Sequence, residues 1–145
     1  HERSRRQRQM CIRDRQNVQD LNLESHIEFL DNLPQTEIRD LLNKSKLLIH
    51  TSKFETFGLV AAEANAMGVP VLTTNSGSLL EIVENSKNGY YSDNLIDGNV
   101  NNFVKELLNN KDKFNEIMMN CLEKSKAYSW ANTATEIENL YKAFA

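Results

Sequence analysis

The sequence predicts an α/β fold: a parallel sheet flanked by helices, followed by an all-helical C-terminal third. Three observations predict it. Short apolar runs bounded by turn residues, such as 46–52 (KLLIHTS) and 69–73 (VPVLT), read as strands of the buried parallel type. Segments with helical spacing lie between these runs, and strand–helix alternation is the signature of a doubly wound sheet. After Asp97 only the helical period remains.

Residues 26–30 (HIEFL) predict a first short strand. Residues 31–45 (DNLPQTEIRDLLNKS) predict a Pro-marked turn and a helix with Ile38, Leu41 and Leu42 on one face. Leu47, Leu48 and Ile49 form a continuous apolar strand that runs into a polar loop, 51–56. A helix over about 57–67 follows, closed by Gly68. The next strand begins at Val69-Pro70, where a missing N–H is tolerated. TNSGS is a turn, LLEIVEN a short helix, and Gly89, Tyr90 and Tyr91 a terminal strand. Three apolar stripes complete the chain: Val100, Phe103, Val104, Leu107 and Leu108; then Phe114, Ile117, Met118, Cys121 and Leu122; then Thr135, Ile137, Leu140, Tyr141 and Phe144. Ser129 or Asn132 caps the last helix.

The bulk numbers narrow the function. At 145 residues the chain has room for one ordinary domain. It has no apolar run near 18 residues and no secretory pattern, which predicts a cytoplasmic protein without a membrane-spanning helix. Cys11 and Cys121 make neither a disulfide framework nor a metal-ligand spacing. Residues 1–15 (HERSRRQRQMCIRDR) resemble a translated reading frame of a transposase-based sequencing adapter. That reading makes them a non-native segment and the rest, 16–145, a partial domain whose upstream part is missing. Without the segment's six Arg and two acids, Lys+Arg falls from 17 to 11 and Asp+Glu from 20 to 18, about −7. Such a balance argues against a nucleic-acid partner, because phosphate contacts need a basic face.

The chemistry concentrates in 55–69, ETFGLVAAEANAMGV. Glu55 precedes the predicted helix, and Glu63 lies two turns inside it, roughly 9 Å along the axis from Phe57. Between them lies the helix N-terminus, with unsatisfied N–H groups and the positive end of the dipole. Gly58 removes a side chain there, so anionic oxygens can approach the backbone. Carboxylate, N–H groups and carboxylate in line match the layout of sugar, pyrophosphate and ribose. Spacing alone leaves a second reading open, with Glu55 a dipole partner and Glu63 a solvated helix residue.

The longer string SKFETFGLVAAEANAMGVPVLTTNSGSLLEIVENSKNGYY closely resembles the signature of family 4 (group 1) retaining glycosyltransferases. The matching residues are Ser52, Glu55, Phe57, Gly58, Glu63, Ala66, Gly68, Pro70, Val71, Gly77, Glu81, Ile82, Val83, Asn88 and Gly89. The resemblance covers about residues 20–145. It implies the C-terminal, donor-binding part of a GT-B enzyme with a Rossmann-like sheet. By carry-over, Glu55 is the catalytic residue and contacts hydroxyls of the donor sugar. Glu63 holds the ribose hydroxyls. Ser52, Thr56, Phe57, Gly58 and Leu59 complete the donor-binding set.

The implied reaction moves a hexosyl group from a UDP- or GDP-sugar to a glycan, lipid or small-molecule acceptor, with retention. The resemblance implies no cofactor and no metal, and no Asp-x-Asp is present. The family's N-terminal domain is a further partner, absent from these residues, so the chain is expected to be inactive alone. In the full-length enzyme an attachment to the inner face of the membrane is compatible with this reading. An epimerase or phosphorylase of the same fold, or a non-catalytic nucleotide-sugar binding domain, are the alternatives.

Two departures stand out: Ser76-Gly77-Ser78 replaces a two-glycine turn, and Ala62 stands where Leu is common. Lys46 and Lys53 do not match the family's phosphate-binding positions. Outside the motif, His50 reads as a strand-end residue, Trp130 and Tyr141 as core or interdomain packing, and Cys121 as buried packing. Glu81 is open between a phosphate contact and a helix-start role.

Overall fold

The computed structural model describes residues 12–144. The chain divides after Pro34 into two compact units. In the first, helix α1 (12–20) leads through turns into a stretch without regular secondary structure, 27–30. The guanidinium of Arg15 lies 4.5 Å from the centre of the Phe29 ring and 3.7 Å from Asp31. The strand predicted at 26–30 does not form. Among the described residues no strand pairs with it, and a segment without a ladder is not a strand. Predictions for residues 1–11 lie outside the described residues.

The second unit carries the α/β pattern. Helix α2 (Gln35–Lys44), strand β1 (Leu48–His50), helix α3 (Leu59–Ala66), strand β2 (Val71–Thr74), helix α4 (Leu79–Ile82) and strand β3 (Gly89–Ser92) alternate without exception. The three strands pair in parallel in the order β1-β2-β3, with Leu48 opposite Val71 and Val71 opposite Gly89. Pro70 stands just before β2, where its lost N–H is not missed, and its carbonyl accepts the N–H of Leu48 at 2.9 Å. Helices α5 (Gly98–Asn109), α6 (Lys111–Ser125) and α7 (Trp130–Ala143) form the helical third. Asp97, Asn110 and Ser129 cap them through side-chain oxygens.

Period-two alternation sends neighbouring strand residues to different cores. Leu48, Val71 and Tyr91 join one cluster with Leu42, Ala61, Ala64, Leu79 and Ile82. Leu47 and Tyr90 join another with Phe103, Leu107, Ile117 and Cys121. Each face of the sheet therefore packs against a hydrophobic cluster. Cys121 is inert packing: burial pushes its thiol up to about 12, and Sγ donates to the carbonyl of Asn88. Helix α6 is tied to the α4–β3 connection by Lys124, 2.8 Å from Glu84. The hydrogen bond from Lys124, with a second from Lys87, holds the Glu84 carboxyl down at about 2.

Three packing expectations change. Leu41 is exposed rather than on the buried face of α2, which Leu42 alone occupies fully. Ile49 is 59% exposed, because β1 has a neighbour on one side only among the described residues. Helix α7 buries no residue, so Trp130 (89% exposed) and Tyr141 are not core. Among the described residues no helix is long and apolar enough to cross a membrane.

One buried group is out of place. Asn65, on the inner face of α3, is fully buried, and among the described residues its Oδ1 has no hydrogen-bond partner. Its Nδ2 reaches the carbonyl of Ile82 only at 3.5 Å, an acceptor that Asn88 already satisfies at 2.7 Å. An orphaned buried acceptor costs about 1–3 kcal/mol. Asn65→Met exchanges it for an adaptable apolar chain. The variant is expected to gain about 1 kcal/mol and to melt about 3 °C higher. A lower melting temperature in a thermal denaturation would show that the amide is contributing.

Candidate functional site

Parallel strands end at one edge of the sheet, and the loops following β1 and β2 meet there. The β1–α3 loop is fixed by hydroxyls from the other side. Thr73 Oγ1 donates to the carbonyl of His50 at 3.0 Å, Thr74 to that of Ser52, Ser76 to that of Lys53 at 2.8 Å, and Ser78 to that of Glu55 at 3.3 Å. Four hydroxyls thus hold the last carbonyl of β1 and three carbonyls of the loop that follows. Gly77 lies so close that a Cβ there would sit 3.1 Å from the carbonyl oxygen of Glu55. This explains the serines of the Ser76-Gly77-Ser78 turn: they point back at the loop. The sequence signal was the hydroxyl run TTNSGS itself.

Ser52 caps its own turn, donating to the carbonyl of Phe54 at 2.8 Å. Thr56 donates its backbone N–H to Glu55 Oε1 at 3.2 Å. The other oxygen of Glu55, Oε2, lies 3.5 Å from His50 Nε2. Both side chains are largely buried, and among the described residues His50 Nδ1 has no partner. His50 is therefore a neighbour of Glu55, a contact that reading it as an ordinary strand end missed.

Helix α3 starts at Leu59, two residues later than the sequence predicts, because Gly58 is left-handed (φ 88°) and acts as its N-cap. Gly58 brings no capping side chain. Among the described residues, the N–H groups of Gly58, Leu59 and Val60 meet no acceptor. Phe57 packs edge-on against Tyr128, ring centres 5.9 Å apart, and Leu59 is exposed. Glu63 is the fifth residue of α3, roughly 6 Å along the axis from Leu59. It stands at the rim of two clefts. One, of about 240 Å³, is lined by Gln35, Ile38, Leu42 and Met67. The other, of about 660 Å³, is lined by Phe57, Leu59, Tyr128, Trp130 and Glu136. Glu63 is not unpartnered: Gln35 Nε2 donates to its Oε1 at 2.8 Å. Nothing in the spacing of the sequence pointed to Gln35. Glu81 is exposed on the short α4, and its carbonyl accepts the Tyr128 hydroxyl at 3.1 Å.

The arrangement offers two carboxylates with unfilled N–H groups between them. It suits a ligand with hydroxyls at both ends and negative charge in the middle. Among the described residues no three His, Cys, Asp or Glu side chains gather as metal ligands.

Comparison with known proteins gives the same direction. The family described as "Glycosyl transferases group 1" matches residues 13–126. That match begins inside the segment 1–15, and α1 runs across its boundary; no comparison supports an adapter origin for the segment. An uncharacterized glycosyltransferase of Methanocaldococcus jannaschii is 31% identical over 81% of this chain and 34% of its own length. A D-inositol 3-phosphate glycosyltransferase of Corynebacterium glutamicum is 30% identical over 86% of this chain and 30% of its own. The crystal structure of Anabaena HepE in complex with UDP and glucose superposes with a TM-score of 0.79 at 25% identity, over 93% of this chain and 37% of that one. Sucrose-phosphate synthase from Thermosynechococcus elongatus gives 0.76 at 25% identity, over 91% and 33%. The chain spans about a third of the length of these relatives.

Proposed function

Because the chain belongs to the group 1 glycosyl transferases, we propose that its β1–α3 loop and helix α3 bind a nucleotide-sugar for hexosyl transfer with retention. The observation that carries the reading is the line from Glu55, through the uncapped N–H groups of Gly58, Leu59 and Val60, to Glu63. The diphosphate lies on those N–H groups, where the helix dipole favours negative charge. Glu55 accepts hydroxyls of the donor sugar and is the catalytic residue; Glu63 accepts those of the ribose. Ser52 and Thr56 hold the loop in shape, and Phe57 and Leu59 border the groove.

When the bond from sugar to diphosphate breaks, charge grows on the leaving oxygens. Pre-oriented N–H groups stabilise such charge without reorganising. The presence of UDP in the Anabaena structure supports a uridine nucleotide, and a guanosine nucleotide is the other candidate. Residues 16–145 are the donor-binding part of this transfer, and a glycan, lipid or small molecule is its acceptor.

Isothermal titration of the chain with UDP and with GDP tests the reading. One of the two is expected to bind saturably. Glu63→Ala is expected to weaken it about 30-fold, the loss of hydrogen bonds to a charged acceptor. Unchanged affinity in Glu63→Ala would remove the ribose assignment.

A further inference from the structure

We infer that Gln35 is a positioning residue for Glu63 and through it sets the preference for ribose over 2′-deoxyribose. The inference rests on the donor-binding reading above. Gln35 is the first residue of α2, 28 positions before its partner, and its Nε2 donates to Glu63 Oε1 at 2.8 Å. The two helices that carry the pair are anchored in one core. Leu42 of α2 belongs to the same buried cluster as Ala61 and Ala64 of α3, and Ile38 packs against that cluster. The backbones at both ends of the hydrogen bond are therefore fixed, and the bond selects one rotamer of a long side chain.

A glutamate on a helix surface otherwise loses rotamer freedom when it captures a ligand. Gln35 makes part of that loss before the ligand arrives, which is preorganisation. The chemistry of the donor matters. An amide N–H occupies one lone pair of Oε1 and leaves the remaining lone pairs of the carboxylate for hydroxyls. It adds no charge, so it forms no ion pair that the hydroxyls would have to break. Clefts on both sides of Glu63 leave the oriented carboxylate reachable. Gln35 is exposed, so its bond adds little to the fold, and its effect belongs to the ligand.

The test is calorimetric titration of the full chain with UDP and 2′-deoxy-UDP, and in parallel with GDP and 2′-deoxy-GDP. Four proteins are compared: the unmodified chain, Gln35→Ala, Glu63→Ala and the double variant. Gln35→Ala is expected to weaken the ribonucleotide about fivefold and the deoxynucleotide much less, so that discrimination shrinks. The same change on top of Glu63→Ala is expected to have no effect, and the melting temperature of Gln35→Ala to stay as it was. Equal losses for both sugars, or a loss that persists without Glu63, would overturn the positioning role while leaving the donor site standing. Failure of all four nucleotides to bind, or Glu63→Ala that changes neither member of a pair, would overturn the donor-binding reading and this inference with it.

Discussion

Gly89→Ala is expected to lower the free energy of unfolding by about 4 kcal/mol, a large share of an ordinary domain's stability. Gly89 opens β3 and stands opposite Val71 in the centre of the sheet. A Cβ added there would lie 2.1 Å from the carbonyl oxygen of Val71 and 2.9 Å from Val83 Cγ1. The first of these atoms is backbone, so no rotamer change relieves the clash, and β2 must part from β3. The start of β3 is pinned in place: Ser86 donates to the carbonyl of Gly89 at 2.9 Å, and Asn88 is fixed to Ile82 and Glu84. Urea unfolding followed by circular dichroism checks this. A midpoint close to that of the unmodified chain would mean that the strands separate more cheaply than their packing indicates.

Gly58→Ala carries the second large effect, and it reaches the site as well as the fold. The residue is left-handed at φ 88°, which costs an alanine about 1–2 kcal/mol. Its Cβ would also stand 2.7 Å from Leu79 Cδ2 and 3.3 Å from Ile82 Cδ1, both on fully buried side chains. Overpacking adds a similar amount. A loss of about 3 kcal/mol in urea unfolding is therefore expected. Relief by turning the backbone would re-aim the N–H groups at the head of α3, so nucleotide affinity is expected to fall at least tenfold even where the variant is folded. Intact affinity in a folded Gly58→Ala protein would mean that the diphosphate does not use this turn.

The sequence carried the alternating architecture of the second unit because its strands are short runs bounded by turn residues, and because Gly68 and Ser129 mark helix ends by their own chemistry. Residues 26–30 misled because alternating Ile and Phe look like a strand whether or not a neighbour pairs with them. The stripe of α7 misled for a related reason: periodicity shows that Ile137, Leu140 and Phe144 share a side, not that anything covers it. Within the candidate site, the placement of Glu55, Gly58 and Glu63 around the head of α3 was legible because spacing along a loop and the helix that follows it is local. The contacts of Gln35 with Glu63 and of His50 with Glu55 were not, since one spans 28 residues and both depend on how elements pack. The start of α3 shifted because glycine at Gly58 fits either a helical residue or a left-handed cap, and packing against Leu79 chose the cap.

The proposed site rests on a diphosphate held at the head of α3 between two glutamates. Backbone amide spectra of the 15N-labelled chain, titrated with UDP and with GDP, test that placement most directly. Saturable shifts are expected, largest at Gly58, Leu59 and Val60, with smaller ones at Glu55 and Glu63. Saturable shifts confined to α6 and α7, with the amides of Gly58 to Val60 unmoved, would contradict it.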